Sequence, residues 1–205
     1  MTVRVVVTGI GLITPVGLDR QTTWESLISG RSGIDYISLF DAEGFATRIA
    51  AEVDDFDAAA LLGRKESRRL DRFAQFACAA TIEALEDAGI DMTSEDADRV
   101  GVLIGSGVGG IITITEQHKI LMEKGTKRVS PFLVPMMITD MAASQVSISL
   151  GLKGPNLCTT SACSSGSDAI GAAYDMIKHG DTQAMLAGGS ESIMTPIGFA
   201  AFNAL

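Results

Sequence analysis

The stretch Asn156–Gly171, NLCTTSACSSGSDAIG, changes character at Cys163. Before it, PNLCTT carries the β-branched and apolar residues of a strand. After it, SSGSDAIGAAYDMIKHG places Ile170, Ala173, Tyr174 and Ile177 at helical spacing. A side chain on a tight strand-to-helix turn is pushed out of the sheet edge, and the small neighbours Ala162, Ser164, Ser165 and Gly166 leave room beside it. The same position sets the sulfur at a helix N-terminus, where the dipole and unpaired amides favour thiolate and the residue's own amide is free to donate to an oxyanion. Cys158, expected in mid-strand, and Cys78, inside a helical pattern, read as packed core.

Outward from this turn the pattern repeats. VRVVVTGIG reads as a strand running into a glycine turn, and RQTTWESLISG as a short helix closed by Gly30. DRFAQFACAATIEALEDAG is a helix stopping at Gly89, and RVGVLIGSGVGG a buried strand with a glycine-rich exit. The helical ITEQHKILMEKG follows, then a helix of small residues from Met141 to Leu150, the Cys163–His179 helix and the strand AMLAGGSES. Strands alternating with helices through short connections predict a single α/β domain, mainly parallel in its sheet, with helices on both faces. No repeat or low-complexity linker divides residues 1–205.

The 205 residues are 46% hydrophobic and 20% charged, with 22 glycines, and the mean hydropathy is +0.28. A chain this apolar is expected to face part of its surface toward something beyond itself. No apolar run reaches the roughly 18 residues of a membrane span. The N-terminal run has strand composition, early glycines and no small-x-small cleavage site, against a signal peptide. Three cysteines without CxxC or a histidine cluster argue against a disulfide framework and against a metal site, which points to the reducing cytoplasm. The formal charge of −9 disfavours nucleic acid. Positive charge is nevertheless clustered, in RKESRRLDR (Arg64, Lys65, Arg68, Arg69, Arg72) and EKGTKR (Lys124, Lys127, Arg128). Most such runs are solvated helix faces.

Two features invite chemistry that the sequence does not support. GSGVGG, Gly105–Gly110, satisfies a dinucleotide-binding spacing, but the acidic ribose ligand expected about 20 residues on is missing and the following IITIT is a poor helix start. The only histidines are His118 and His179. His179 ends the helix that Cys163 begins, sixteen residues on and about 24 Å away along the axis, where it suits the helix dipole.

Taken together, TTSACSSGSDAIGAA around Cys163, VSPFLVP and GLKGPN before it, MLAGGSESIMTPIGFAAF after it, and the earlier VVVTGIGLITPVG and GVLIGSGVGG resemble a β-ketoacyl-[acyl-carrier-protein] synthase of the elongating, type II fatty-acid kind. The resemblance runs along the whole chain. It implies a thiolase-like fold of two similar α/β halves, of which residues 1–205 are the first, and a decarboxylative Claisen condensation without a cofactor. By the same match Cys163 takes the acyl group as a thioester, Val108 and Phe202 line the acyl pocket, and Phe132 reaches toward a partner subunit in a homodimer. An acidic acyl carrier protein then gives Arg64, Lys65, Arg68, Lys124, Lys127 and Arg128 a docking role.

Asp140 and Asp168 stand where such proteins often carry Asn and His. The family's two catalytic histidines and its lysine belong to the second half, so the 205 residues are expected not to condense by themselves. Two alternatives stay open at this point. One is a thiolase-like acyltransferase that condenses without decarboxylation. The other is a non-catalytic subunit resembling a chain-length factor, which the presence of Cys163 disfavours.

Overall fold

A computed structural model describes residues 3–205. In chain order the elements are α1 (Arg20–Ile28), β1 (Ile34–Tyr36), β2 (Ile49–Ala51), α2 (Ala58–Leu62), α3 (Arg64–Ser67), α4 (Arg72–Ala88), β3 (Val100–Gly105), α5 (Ile111–Lys124), α6 (Leu133–Met137), α7 (Met141–Leu150), β4 (Asn156–Leu157), α8 (Ser165–His179), β5 (Ala184–Gly189) and α9 (Pro196–Asn203). The central sheet has the order β4-β3-β5 and is parallel throughout, and β1 and β2 form a separate antiparallel pair.

β3 is buried along its whole length, as a strand covered on both faces must be. Val102 and Ile104 join Phe73, Ala74 and Ala77 of α4 and Ala142, Ala143 and Val146 of α7 in the main core. Leu103 points the other way, toward the face covered by α8, whose Ala169 and Ala173 are buried. The small residues on the buried faces of α7 and α8, Ala142, Ala143, Ala169 and Ala173, let both helices lie close to the strand. The expected α/β layering, with a parallel sheet between helices, is therefore the architecture found.

Four local expectations need correction. Residues 3–11, read as the opening strand, join neither sheet. They run along α4, where the Ile10 amide donates to Asp87 Oδ2 at 3.0 Å and the Leu12 amide to Glu83 Oε2 at 2.8 Å. Gly9 and Gly11 permit this approach, since a Cβ on either would fall within about 2 Å of the Ala84 or Ala80 carbonyl. Second, the strand before Cys163 shrinks to Asn156–Leu157, which leaves Cys158 beyond its end and half-buried rather than in mid-strand core. Third, α5 begins at Ile111 despite its β-branched start. The reason is tertiary: Asp71, from a segment 42 positions earlier, accepts the Thr113 amide and hydroxyl at 2.7 Å each and so caps the first turn of α5. Fourth, the antiparallel β1–β2 pair is not anticipated at all from the sequence.

The chain exposes 12263 Å², whereas a compact monomer of its 21.5 kDa exposes about 9,200 Å² by surface-to-mass scaling. Val6, Val7, Trp24, Leu27, Ile28 and Tyr36 are among the large apolar side chains left in solvent. No helix among the described residues is long and apolar enough to cross a membrane.

Candidate active site

The chain leaves β4, bends through a 3₁₀ turn at Ala162–Ser164 and enters α8. Ala162 takes φ 54°, one of two positive values among the described non-glycine residues. A left-handed alanine costs on the order of 1–2 kcal/mol and persists only where its surroundings hold it. Here hydroxyls hold it. Ser165 Oγ donates to the Ala162 carbonyl at 2.7 Å and accepts the Ser161 amide at 2.9 Å. Ser164 Oγ donates back to the Ser161 carbonyl at 2.8 Å, and Ser161 Oγ donates to Asp168 Oδ2. The strained turn delivers Cys163 to the surface, exposed, beside the first turn of α8.

Backbone contacts fix the height of that turn. A Cβ on Gly105, at the end of β3, would stand 2.2 Å from the Ser165 carbonyl oxygen. One on Gly166 would stand 3.2 Å from the Gly189 Cα at the end of β5. The start of α8 therefore rests directly on the ends of two strands, with no side chain between.

Val108 lies in the glycine-rich loop after β3, next to Gly107, whose Cβ position is 3.7 Å from the Ala162 Cα. A helix does follow this loop, contrary to one argument made against a nucleotide site. The amides of Gly107 and Val108 are nonetheless taken, because Glu191 Oε2 accepts them at 2.7 and 2.9 Å. The loop is an anion nest whose anion is the protein's own carboxylate.

Phe132 sits before α6, and Arg69 stacks over its ring at 5.1 Å. Phe202 is exposed on α9, the helix that carries Phe199 into an aromatic cluster with Phe40 and Phe45. Arg64, Lys65, Arg68, Lys124, Lys127 and Arg128 are all exposed, and none is in an ion pair among the described residues, where the pairs are Arg20–Asp87, Lys119–Glu123 and Lys153–Asp98. His179 lies at the far end of α8 with Nδ1 2.7 Å from the Asp175 carbonyl, and His118 is exposed on α5. Neither lies at the Cys163 turn. Asp140 immediately precedes α7, with one carboxylate oxygen buried and unpartnered.

Sequence reasoning missed Glu191 and Asp71. Asp71 is 2% exposed, one of its oxygens has no partner, and burial pushes its carboxyl above the ordinary 3.8 although Thr113 opposes the shift. It lines a cavity of about 750 Å³ with Ile13, Phe40, Arg72, Thr113 and Glu191. Arg72 is already engaged there, donating to the Phe56 carbonyl at 3.1 Å and stacking on Phe56 and Phe76 at 4.8 Å. Cys78 is buried, and desolvation pushes its thiol up to about 11.

Comparison with known proteins agrees with this geometry. The chain is 48% identical over 202 residues to 3-oxoacyl-[acyl-carrier-protein] synthase 2 of Staphylococcus aureus (strain MRSA252), a match covering 98% of this chain and 49% of that protein. Among solved structures it resembles the ishigamide ketosynthase/chain length factor, with TM-score 0.89 and 26% identity over 97% of this chain and 50% of the other. It also resembles a ketosynthase bound to the hexaketide and in complex with its type II PKS acyl-carrier protein, with TM-score 0.82 and 27% identity over 97% of this chain and 53% of that one. The chain thus spans about half the length of the curated relatives it matches. The family model described as Beta-ketoacyl synthase, N-terminal domain, matches residues 2–205, and the thiolase-like α/β chain with its exposed cysteine turn belongs to that family.

Proposed function

We propose that this chain is the nucleophile-bearing first half of a β-ketoacyl-acyl-carrier-protein synthase that elongates fatty acids. The observation that carries the reading is the presentation of Cys163 on a strained turn at the start of α8, while Cys78 is buried. The Cys163 thiolate attacks the carbonyl of an acyl thioester on the carrier protein. A new carbon–sulfur bond forms, the bond to the carrier's sulfur breaks, and the carrier leaves as its thiol after taking up a proton. Malonyl carrier protein then loses CO2, and the electron pair of the broken carbon–carbon bond becomes an enolate. Its carbon attacks the acyl-cysteine carbonyl, expelling the Cys163 thiolate and leaving a 3-oxoacyl carrier thioester.

Groups that polarise the malonyl carbonyl are required. Because His118 and His179 lie elsewhere, the reading assigns that task to the second half. The acyl carrier protein is the proposed partner, docking on the two exposed basic clusters, with Val108, Phe132 and Phe202 lining the acyl path. We place the enzyme in the cytoplasm and as a homodimer, which supplies cover for part of the excess apolar surface.

Iodoacetamide adducts mapped by mass spectrometry near neutral pH, in the complete natural protein, test the nucleophile. Cys163 is expected to label first and Cys78 only on unfolding, since a thiol held near 11 is protonated under these conditions. Preferential labelling of Cys158 would overturn the assignment.

A further inference from the structure

Ser161 is the last residue before the strained alanine, and each of its polar groups is tied down. Its amide donates to Ser165 Oγ at 2.9 Å, and its carbonyl accepts the Ser164 amide at 3.2 Å and the Ser164 hydroxyl at 2.8 Å. Its hydroxyl donates to Asp168 Oδ2 and lies 3.2 Å from Ser164 Oγ. Ser164 and Ser165 grip the turn from inside. Asp168 is the one side chain that grips it from the body of α8, in whose first turn it sits. It is exposed, so no core packing depends on it. Its direct bond is to Ser161, two positions before Cys163.

We propose that Asp168 is a positioning residue for the acyl-transfer step: by accepting the Ser161 hydroxyl it ties the left-handed turn at Ala162 to α8 and so sets where the Cys163 sulfur meets the incoming thioester. The role belongs to the acceptor oxygen and not to the negative charge. Asn keeps an acceptor oxygen and drops the charge, while Ala drops both. The two substitutions therefore separate the roles. The proposal rests on the reading of Cys163 as the acylated nucleophile.

The test compares wild type, Asp168→Asn, Asp168→Ala, Ser161→Ala and the Asp168→Ala/Ser161→Ala double variant in the complete natural protein. Single-turnover acylation by an acyl-carrier thioester is followed by the mass shift on Cys163, with thermal unfolding of each variant alongside. Asp168→Ala and Ser161→Ala are each expected to slow acylation about fivefold, the worth of one modest hydrogen bond. The double variant is expected to be no slower than either single one, and Asp168→Asn to stay within about twofold of wild type, because one shared bond is at stake. Asp168→Asn as slow as Asp168→Ala, losses that multiply in the double variant, or no slowing at all would each overturn the proposal. A wild type that is not acylated at Cys163 would instead sink the ketosynthase reading. In that case iodoacetamide rates at full thiol ionisation still rank the variants, and the same pattern among them decides the positioning role.

Discussion

Glu191 Oε2 lies 2.7 Å from the amide nitrogen of Gly107, joining the loop after β5 to the loop after β3 across 84 positions of sequence. The Val108 amide shares that oxygen at 2.9 Å, and Ser106 Oγ lies 3.3 Å from the other. Both loops flank the cysteine turn, so this carboxylate holds one wall of the site to another.

Replacing Glu191 with Ala leaves the two amides to water. A loss of about 1 kcal/mol in unfolding free energy is expected, typical of a partly solvated hydrogen-bonded group. A larger relative fall in Cys163 acylation is also expected, because the Gly107–Val108 wall is no longer fixed. Chemical denaturation paired with single-turnover acylation measures both. An unchanged acylation rate would show that the loop holds itself.

Asp71 gives a pH signature. Its folded-state carboxyl is raised above 3.8 by burial, so between these two values the folded chain binds more protons than the unfolded one. Stability contributed at this site therefore falls as pH climbs from 3.8 through the folded value. Asp71→Asn lacks that titration. Its stability relative to wild type should rise across the window and level off above it, in urea unfolding at a series of pH values. A difference that stays flat throughout would mean the Thr113 bonds cancel the burial.

Charge reversal at Arg68 and Lys127 should weaken carrier-protein binding several-fold at low ionic strength. The effect should shrink toward none as salt rises, since exposed charges are screened beyond about 10 Å at 0.1 M. Titration calorimetry across a salt series checks this. Salt-independent affinity equal to wild type would reduce the clusters to solvated surface.

The 205 residues expressed by themselves should release no CO2 from malonyl carrier protein above background and should bind a hydrophobic dye strongly. Both expectations follow from the site and the surface: neither histidine lies at Cys163, and apolar side chains such as Trp24, at 62% exposure, stand in solvent. Measurable condensation would bring His118 back into consideration.

What was legible in the sequence was what local spacing dictates. The periodicity of α4 and α8, the uninterrupted apolar run of β3 and the small residues of α7 each specify an element and the face it buries. Cys163 was legible because a run of small residues marks a turn. The misses share a cause in long-range contact. IITIT is helical at Ile111 because Asp71 caps it from 42 positions away, and the opening segment joins no ladder but turns the Ile10 and Leu12 amides to the side chains of α4. Glu191 looked like one more acid after a glycine turn, and only the fold shows that it faces an earlier glycine loop.

The glycine contacts under α8 bear on how this chain tolerates drift. Gly105, Gly166 and Gly189 bring backbone onto backbone, so the sulfur's location is referenced to the strands themselves and not to the side chains around them. Substitutions elsewhere in the core can accumulate and repack while the nucleophile keeps its address. A single methyl group added at Gly105 or Gly189 cannot be absorbed in this way. Lineages of this chain are therefore free to change most of what surrounds the sulfur, but not Gly105 or Gly189, which have no side chain to change.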